Sequence, residues 1–559
     1  MINFLKIPKA NSDLASDVIK RYTIANEEMT TWLSTLSEVY RLVFPNKEKF
    51  RTKGRVSGQN DYMKHVYDWT AISGAKNYAS NLISTMMPAG VDWFKIGVGY
   101  KYKGQQADVG KGTKDLLAHM SQTIFRILNS SNFYQAIHPS LMEMSISTGV
   151  LLVNETDDLD NPIIFTSVPL HECCFSAGAN QMIQNVYRKY VVKAHVLKDQ
   201  WPKAKWSAKI LRVIDKNPDQ EIAIIESTEK NTDMPLDKQW QYSIVLEEFK
   251  ETPLIEYRSY SPFIVFRPSV YSGEIMGRGV MLDMISAVRI LNKIAEDELR
   301  LNSYMAKPIF MSPNGSGAIN PYMVRMEPGS IIPYQSIPGS SRAPVEQLTI
   351  QGNLQYLQLN SEKIKNEIIR ALGINPIQPD GNTHESATRT QLLDAAWVKS
   401  NQEIFGRLTP ELCNPLIKTI FHILHRKGYW KMPIVDGKII DIEYTSPIMD
   451  TQKKQNITRI REYAETLQAT LGPEGAMTAF AYGINATEYP GWLANQFNID
   501  SIIQRGELSK SQMLKIAHQQ MQQQQQQQQS QQQPQPTAPG GQNGQQGFTG
   551  SQQPGLPTQ

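Results

Sequence analysis

Apolar positions recur at helix spacing through the first third of the chain. Between Asp13 and Pro45 they fall at Leu14, Val18, Ile19 and Tyr22 and continue through Trp32, Leu33, Leu36 and Val39, which predicts one long helix. A basic, glycine-containing stretch from Lys53 to Asn60 reads as a loop. A second helix is predicted from Tyr67 to Met87. Its faces carry Ala71, Ser73, Gly74, Ala75, Ala79 and Ser80, small side chains that let another helix come close. It stops before Pro88-Ala89-Gly90, where proline removes a donor and glycine favours a turn. Trp93 to Val98 then reads as a strand, and Asp115 to Asn129 and His138 to Gly149 as helices.

Between Val150 and Arg267 the period shortens. Runs rich in Val, Ile, Thr, Tyr and Phe, separated by turn residues, predict strands at Leu151 to Asn154, Ile163 to Pro169, Tyr187 to Val192, Ile222 to Ser227, Tyr242 to Glu248 and Phe263 to Arg267. The stretch from Val186 to Val192 suits a sheet with one wet face.

From Gly279 the helical period returns. Val280 to Ala306 reads as one uninterrupted helix, about 40 Å long at 1.5 Å per residue. It carries two apolar stripes. Met281, Met284, Val288, Leu291 and Ala295 form one; Val280, Ala287, Ile290, Ile294 and Leu301 form the other. Arg289, Lys293, Glu296 and Arg300 mark a charged face. Such a helix fits between neighbours on both sides, as a stave in a barrel, and also fits an ordinary domain core. A Pro- and Gly-rich insert with short strands follows from Ile309 to Gly352, and a second helix from Leu354 to Leu372. After a loop from Gly373 to Asn382, Thr383 can cap a helical stretch that Pro410 and Pro415 bend and Gly428 ends. Strands near Ile434 and from Ile439 to Tyr444, then helices from Met449 to His518, complete the folded part. From Gln519 the chain is a glutamine run and then Pro, Gly, Ser, Thr and Gln, a composition with almost nothing to bury, which predicts disorder. The fold class is α+β and mainly helical.

A length of 559 residues exceeds one compact core, so several subdomains are expected. No apolar run approaches the roughly 20 residues of a membrane span. Met1 to Lys6 begins no long apolar signal region, and cytoplasmic synthesis is the expectation. Cys173 and Cys174 are adjacent and Cys413 stands alone, so neither a disulfide framework nor a zinc set can be drawn. Net charge is +4, nearly neutral for this size. A protein that grips DNA by neutralising many phosphates shows a clear basic surplus, so any contact with DNA is expected to be loose.

The chain offers little for catalysis. Gly104 to Gly112 is a poor phosphate loop: its first glycine is one position too far away, and Gly112 stands where a Ser or Thr would hold magnesium. Gly277-Arg278-Gly279 reads as a turn. His171-Glu172-Cys173-Cys174 lacks a second ligand pair, and His422 and His425 lack a carboxylate nearby in sequence. There is no Gly-x-Ser-x-Gly elbow. No catalytic, cofactor-binding or metal residues are expected.

Several segments together resemble the head-to-tail connecting (portal) proteins of short-tailed bacteriophages. Tyr67-Asp68-Trp69-Thr70-Ala71, Leu82 to Pro88 and Asp92-Trp93-Phe94 resemble that family's helix running into a Trp-Phe strand. Glu274-Ile275-Met276-Gly277-Arg278-Gly279, with Asp283, Leu291-Asn292 and Lys307-Pro308, resembles its Tyr-Gly-Arg-Gly segment, with Met276 in place of the usual tyrosine. Glu385 to Arg389 is loosely similar to a Thr-Ala-Thr-Glu segment. Arg407-Leu408, Glu411-Leu412, Pro415-Leu416-Ile417 and Lys427-Gly428 fit better, and Ile442 to Pro447 with Gln452 follows. The matches run in order from Asp68 to His518.

The resemblance implies a dodecameric, non-enzymatic ring in the virion, at one capsid vertex, that passes double-stranded DNA during packaging and ejection. It implies a wing (1–279), stem helices (280–306 and 353–373), a clip (307–352), a tunnel loop with further wing elements (374–448), a crown (449–518) and the glutamine-rich tail (519–559). Implied partners are further copies of the chain, the major capsid protein and scaffold, the terminase large subunit and tail adaptors. Candidate DNA-channel residues are Arg289, Lys293, Arg300, Lys363, Lys365, Gln378, Asn382 and His384; Arg325 and Arg342 are candidate partner contacts in the clip. Ion pairs between subunits, Arg289 or Lys293 with Glu362 or Glu367, are an equal reading of the stem charges. Another virion ring component, such as a head–tail adaptor, or an enzyme carried in the virion are the competing functions.

Overall fold

The computed structural model describes residues 11–45, 65–98, 111–158, 161–178, 181–314, 326–335, 345–348, 354–373, 401–430, 440–444, 460–470 and 472. The chain divides into two compact units, Met1–Thr451 and Gln452–Gln559. In the second unit 460–470 is helical, with Arg461 paired to Glu465 at 3.0 Å. The rest of the predicted 449–518 helices and the glutamine-rich stretch lie outside the described residues.

In the first unit the predicted opening helix is α1 (Asn11–Val43), which buries Val18, Leu36, Val39 and Tyr40. It is followed by α2 (Thr70–Met86), β1 (Phe94–Val98), α3 (Lys111–Ser130) and α4 (Phe133–Ile146). The small residues of α2 have the consequence expected of them. Ala71, Gly74, Ala75 and Ala79 are buried, and a Cβ on Gly74 would lie 2.6 Å from Cδ1 of Leu372. Tyr40 of α1 donates its hydroxyl hydrogen to the buried carboxylate of Glu143 in α4. Against expectation α4 begins five residues before His138, and Gly149 already belongs to a strand.

Two antiparallel sheets fill the β-rich region. The smaller joins β2 (Gly149–Glu155), β3 (Ile163–Ser167) and the later β9 (Phe263–Phe266) in the order β3-β2-β9, with Val153 opposite Phe165 and Leu151 opposite Ile264. The larger runs β4-β5-β6-β7-β8, from Cys173–Ala177, Ile183–Lys193, Glu221–Lys230, Trp240–Leu246 and Glu251–Arg258. The sequence pattern missed β4 and β8. β8 carries Pro253, which an edge strand tolerates and which hides the strand signal. It also missed two helices between β5 and β6, α5 (Val196–Gln200) and α6 (Ala208–Lys216). Within the larger sheet, Tyr242 donates to the buried Glu226 at 2.6 Å, and Arg188 lies 2.8 Å from Glu172 and 3.6 Å from Glu226. Burial pushes the Glu226 carboxyl up, opposed by Arg188 and Tyr242.

The predicted uninterrupted helix from Val280 to Ala306 is corrected. A single turn, α7 (Val280–Asp283), is separated from α8 (Ile285–Ala306) by Met284 at φ −91, ψ 7. Just before it, the Gly279 amide donates to Ile146 O at 3.0 Å, so the end of α4 meets the start of α7. The 22 residues of α8 span about 33 Å.

A three-stranded sheet comes next, in the order β11-β10-β12 (β10 Ile309–Asn314, β11 Ile331–Gln335, β12 Glu346–Leu348), and then α9 (Leu354–Ala371). The predicted bent helix is described from Gln402 onward. Its parts are α10 (Gln402–Leu408), a π-helical turn at Thr409–Cys413 holding Pro410, and α11 (Asn414–Arg426) with Pro415 in its first turn. Gly428, at φ +83, ends it in the left-handed region that glycine favours. Finally β13 (Ile440–Tyr444) pairs antiparallel with β1, Phe94 opposite Tyr444. The strand expected near Ile434 lies outside the described residues.

Candidate assembly and DNA-contact site

The helices α8 and α9 form an antiparallel pair. Met281 and Leu372 both lie beside Gly74, which brings the start of one helix to the end of the other. At the opposite end β10 and β12 pair antiparallel, with Ile309 opposite Leu348. Side chains from both helices grip the segment just before α2. Asn292 Oδ1 accepts from the amides of Tyr67 (2.7 Å) and Asp68 (3.3 Å), and its Nδ2 donates to His65 O (2.9 Å). Lys365 of α9 reaches Asp68 at 3.2 Å. At the far end Tyr304 donates to Met326 O at 2.9 Å, and Gly329 N donates to Lys307 O at 3.0 Å.

The turn into the pair explains Gly277-Arg278-Gly279. Gly277 N donates to Thr148 Oγ1 (3.0 Å) and Ser147 Oγ donates to Gly277 O (2.6 Å). A Cβ on Gly279 would lie 2.2 Å from Ser145 O, so two backbones meet where no side chain fits. Arg278 grips both oxygens of Glu274 at 2.8 Å and lies over the rings of Trp32 and Tyr271.

The two apolar stripes of α8 have different fates. Val288 and Leu291 of the first are buried inside the chain. In the second, Ile290 is 52% exposed, and Ile294 and Leu301 are only partly covered. Met305 on α8 and Tyr356 and Leu359 on α9 are exposed as well.

The charged face is ion-paired within the chain. Arg289 reaches Glu38 of α1 at 2.5 Å. Lys293 lies 2.9 Å from Glu296 and 3.2 Å from Asp297, and Arg300 lies 2.5 Å from Glu296. The hydrogen bond to Glu296, and then Asp297, hold the Lys293 ammonium above its ordinary range, while Lys293 holds the Glu296 carboxyl low. Exposed pairs of this kind add little to stability, because water and salt screen them. Their effect is neutralisation: α8 carries three basic residues (Arg289, Lys293, Arg300) and three acidic ones (Glu296, Asp297, Glu298). Lys363 is exposed on α9. Gln378, Asn382, His384, Arg325 and Arg342 lie outside the described residues, as does most of the Gly104 to Gly112 stretch.

The other tempting clusters are taken up by packing. Cys173 and Cys174 are buried in β4, and Glu172 is engaged by Arg188. Burial pushes the Cys413 thiol up to about 12. His422 stacks on Tyr260, and His425 Nδ1 lies 3.0 Å from Trp430 O. Among the described residues no group of three or more His, Cys, Asp or Glu is placed to hold a metal ion, and no helix is long and apolar enough to cross a membrane.

The sequence reading passed over α6. Lys209, Arg212 and Lys216 stand at i, i+3 and i+7, with the buried Ile210 and Ile214 on the far side of the helix. That signal was available in the pattern, but the helix is short and sits between two strands.

The model of the bacteriophage head to tail connecting protein family matches residues 15–503, and the chain belongs to that family. It is a family of structural connectors rather than of enzymes. No curated protein matches the sequence. Among solved structures the chain is similar to a chain in the neck of an empty gene transfer agent particle computed with C6 symmetry. That match has a TM-score of 0.35 at 9% identity and covers 78% of this chain and 92% of that one. It is also similar to a chain from the virion of a native gene transfer agent particle, with a TM-score of 0.33 at 8% identity, covering 71% of this chain and 87% of that one.

Proposed function

We propose that this connector is the portal subunit of a short-tailed phage, a dodecameric ring at one capsid vertex through which double-stranded DNA is packaged and ejected. The observation that carries the reading is α8, with one apolar stripe buried in its own chain, a second left open through Ile290, and a self-neutralised charged face. A closed ring is built head to tail, so each subunit needs two different lateral surfaces. The open stripe supplies one of them, and burying the exposed half of a side chain such as Ile290 stabilises by about 1 kcal/mol. A balanced charge on α8 lets DNA slide, where a basic bore would bind phosphates and stall it.

In this reading α8 and α9 are the stem, with Arg289, Lys293, Arg300, Lys363 and Lys365 on or near the bore. Residues 307–352 form the clip, whose exposed Met326, Ile331 and Val345 offer apolar contacts to terminase or a tail adaptor. Residues 374–448 supply the tunnel loop and 449–518 the crown, and the outer surface meets capsid protein and scaffold. The ring is assembled in the host cytoplasm and carries no enzymatic activity. Electron microscopy of the purified chain, classified by end-on view, tests the proposal. Rings with a central hole and about twelve subunits support it; monomers or dimers at every concentration, even with scaffold or capsid protein present, reject it.

A further inference from the structure

Arg289, Lys293, Arg300 and Lys365 are ion-paired within the chain, whereas a run of described cations between β5 and β6 is not. The stretch from Lys198 to Lys216 holds six basic residues (Lys198, Lys203, Lys205, Lys209, Arg212, Lys216) and two acidic ones (Asp199, Asp215), a net of +4. The whole chain also sums to +4, so the charges outside this stretch sum to zero. Lys198 lies 3.9 Å from Asp215, and the nearby Asp219 is taken by Lys193 at 2.8 Å. Among the described residues no ion pair engages Lys203, Lys205, Lys209, Arg212 or Lys216, in contrast to Arg289, Lys293, Arg300 and Lys365.

These charges are presented on a fixed surface. On α6, Lys209, Arg212 and Lys216 fall within about 60° of one another around the axis and span about 10 Å along it. Ile210 and Ile214 anchor the opposite side in the core. The entry to the helix is tied down by Lys205 N, which donates to Pro253 O of β8 at 2.8 Å.

We propose that this face of α6 holds the phosphate backbone of double-stranded DNA, independently of sequence and away from the stem. The chemistry favours nucleic acid backbone because Lys209, Arg212 and Lys216 are exposed, carry no ion pair among the described residues and form a row that matches a row of phosphates. A row of three cations neutralises up to three phosphates and releases their counterions, which makes the contact weak and strongly salt-dependent. The proposal goes beyond the conduit reading and does not require it, since the surface belongs to a single chain.

The test is binding of the full-length protein to short labelled duplexes of two unrelated sequences, followed by fluorescence anisotropy between about 50 and 200 mM salt. The variant Lys209→Gln/Arg212→Gln/Lys216→Gln changes only exposed side chains, and its melting curve serves as the folding control. Its plot of log affinity against log salt should be shallower by about 2.7, which over that salt range removes about 40-fold of the salt-induced loss. Both duplexes should respond alike. A charge-matched control, Lys20→Gln/Lys76→Gln/Lys238→Gln, should keep the parental slope. The proposal falls if the α6 variant keeps the parental slope, or if the control loses as much. It falls equally if polyglutamate displaces DNA at equal charge concentration, which would make an acidic protein surface the partner. Ring formation is scored separately by electron microscopy, so rings whose DNA binding ignores α6 would defeat this inference and leave the conduit reading standing.

Discussion

Arg267 and Glu411, 144 positions apart, form a buried two-pronged ion pair that joins the end of β9 to the π-helical turn. Arg267 Nη2 donates to Oε1 at 2.7 Å and Nε to Oε2 at 3.3 Å, while the Arg267 backbone amide also donates to Oε2 at 2.9 Å. The arginine is 3% exposed and the glutamate 10%, and Arg407 adds a further donor to Oε1 at 3.0 Å. The π turn therefore sits where a carboxylate is needed to collect three donor groups. Extra residues in a helical turn are tolerated where such a contact compensates for them.

Removing one partner leaves the other charge buried. Arg267→Met should destabilise the first unit by about 3–5 kcal/mol, because Glu411 keeps its desolvation cost and loses its main counterion. The double variant Arg267→Met/Glu411→Leu should recover a large part of that loss. Chemical denaturation monitored by tryptophan fluorescence checks both, and a double variant no better than the single one would mean that the pair is not the source of the effect.

Two glycines should respond in opposite directions to the same change. Gly279→Ala drives a methyl group into the backbone of Ser145 and should destabilise by about 1–3 kcal/mol or more. Gly406→Ala, inside α10 with nothing within 4 Å of the new carbon, should be neutral or stabilise by up to about 1 kcal/mol. Thermal melts of the two variants side by side decide it.

Ile290 is half exposed on a single chain, so Ile290→Asp should leave the circular dichroism spectrum unchanged. In the ring reading it should abolish large assemblies, which mass photometry would record as a shift to monomers. Unchanged assemblies would show that the open stripe is not the lateral contact.

Acid should weaken the fold partly through His422. Burial first, then His425 and Lys418, hold its imidazole below the ordinary value near 6.5. A histidine whose folded value is depressed is kept neutral by the fold. Its contribution is therefore complete above the unfolded value and is lost as pH falls through the folded one. Stability should drop on going from neutral to mildly acidic solution. His422→Phe, which preserves a ring against Tyr260, should flatten that part of the curve of melting temperature against pH.

Local pattern was a good guide to local structure. The helix period found α1, α2, α3 and α9 to within a few residues, and alternation found β2, β3, β5, β6 and β7, because each is decided by which of its own side chains face a core. What pattern could not reach were contacts closed over long distances in sequence. Within the chain Arg289 of α8 meets Glu38, 251 positions away, and Lys365 of α9 meets Asp68. The bond from the Gly279 amide to Ile146 O likewise joins segments more than 130 positions apart. Asn292 stood inside a recognisable segment, but its grip on the backbone of residues 65–68 became visible only once the two parts were folded together.

The pairing of β1 with β13 also sets an order of events in time. Phe94 has to wait for Tyr444 to be made before it can find its partner. At bacterial elongation rates of about 5–20 residues per second, that interval is on the order of 20–70 s. In the last part of it, once Ala371 has been made, the α8 and α9 arm is already synthesised while β1 still lacks its partner. β13, the last of the described strands to be made, thus acts as a latch that closes on β1 only after the arm has been synthesised.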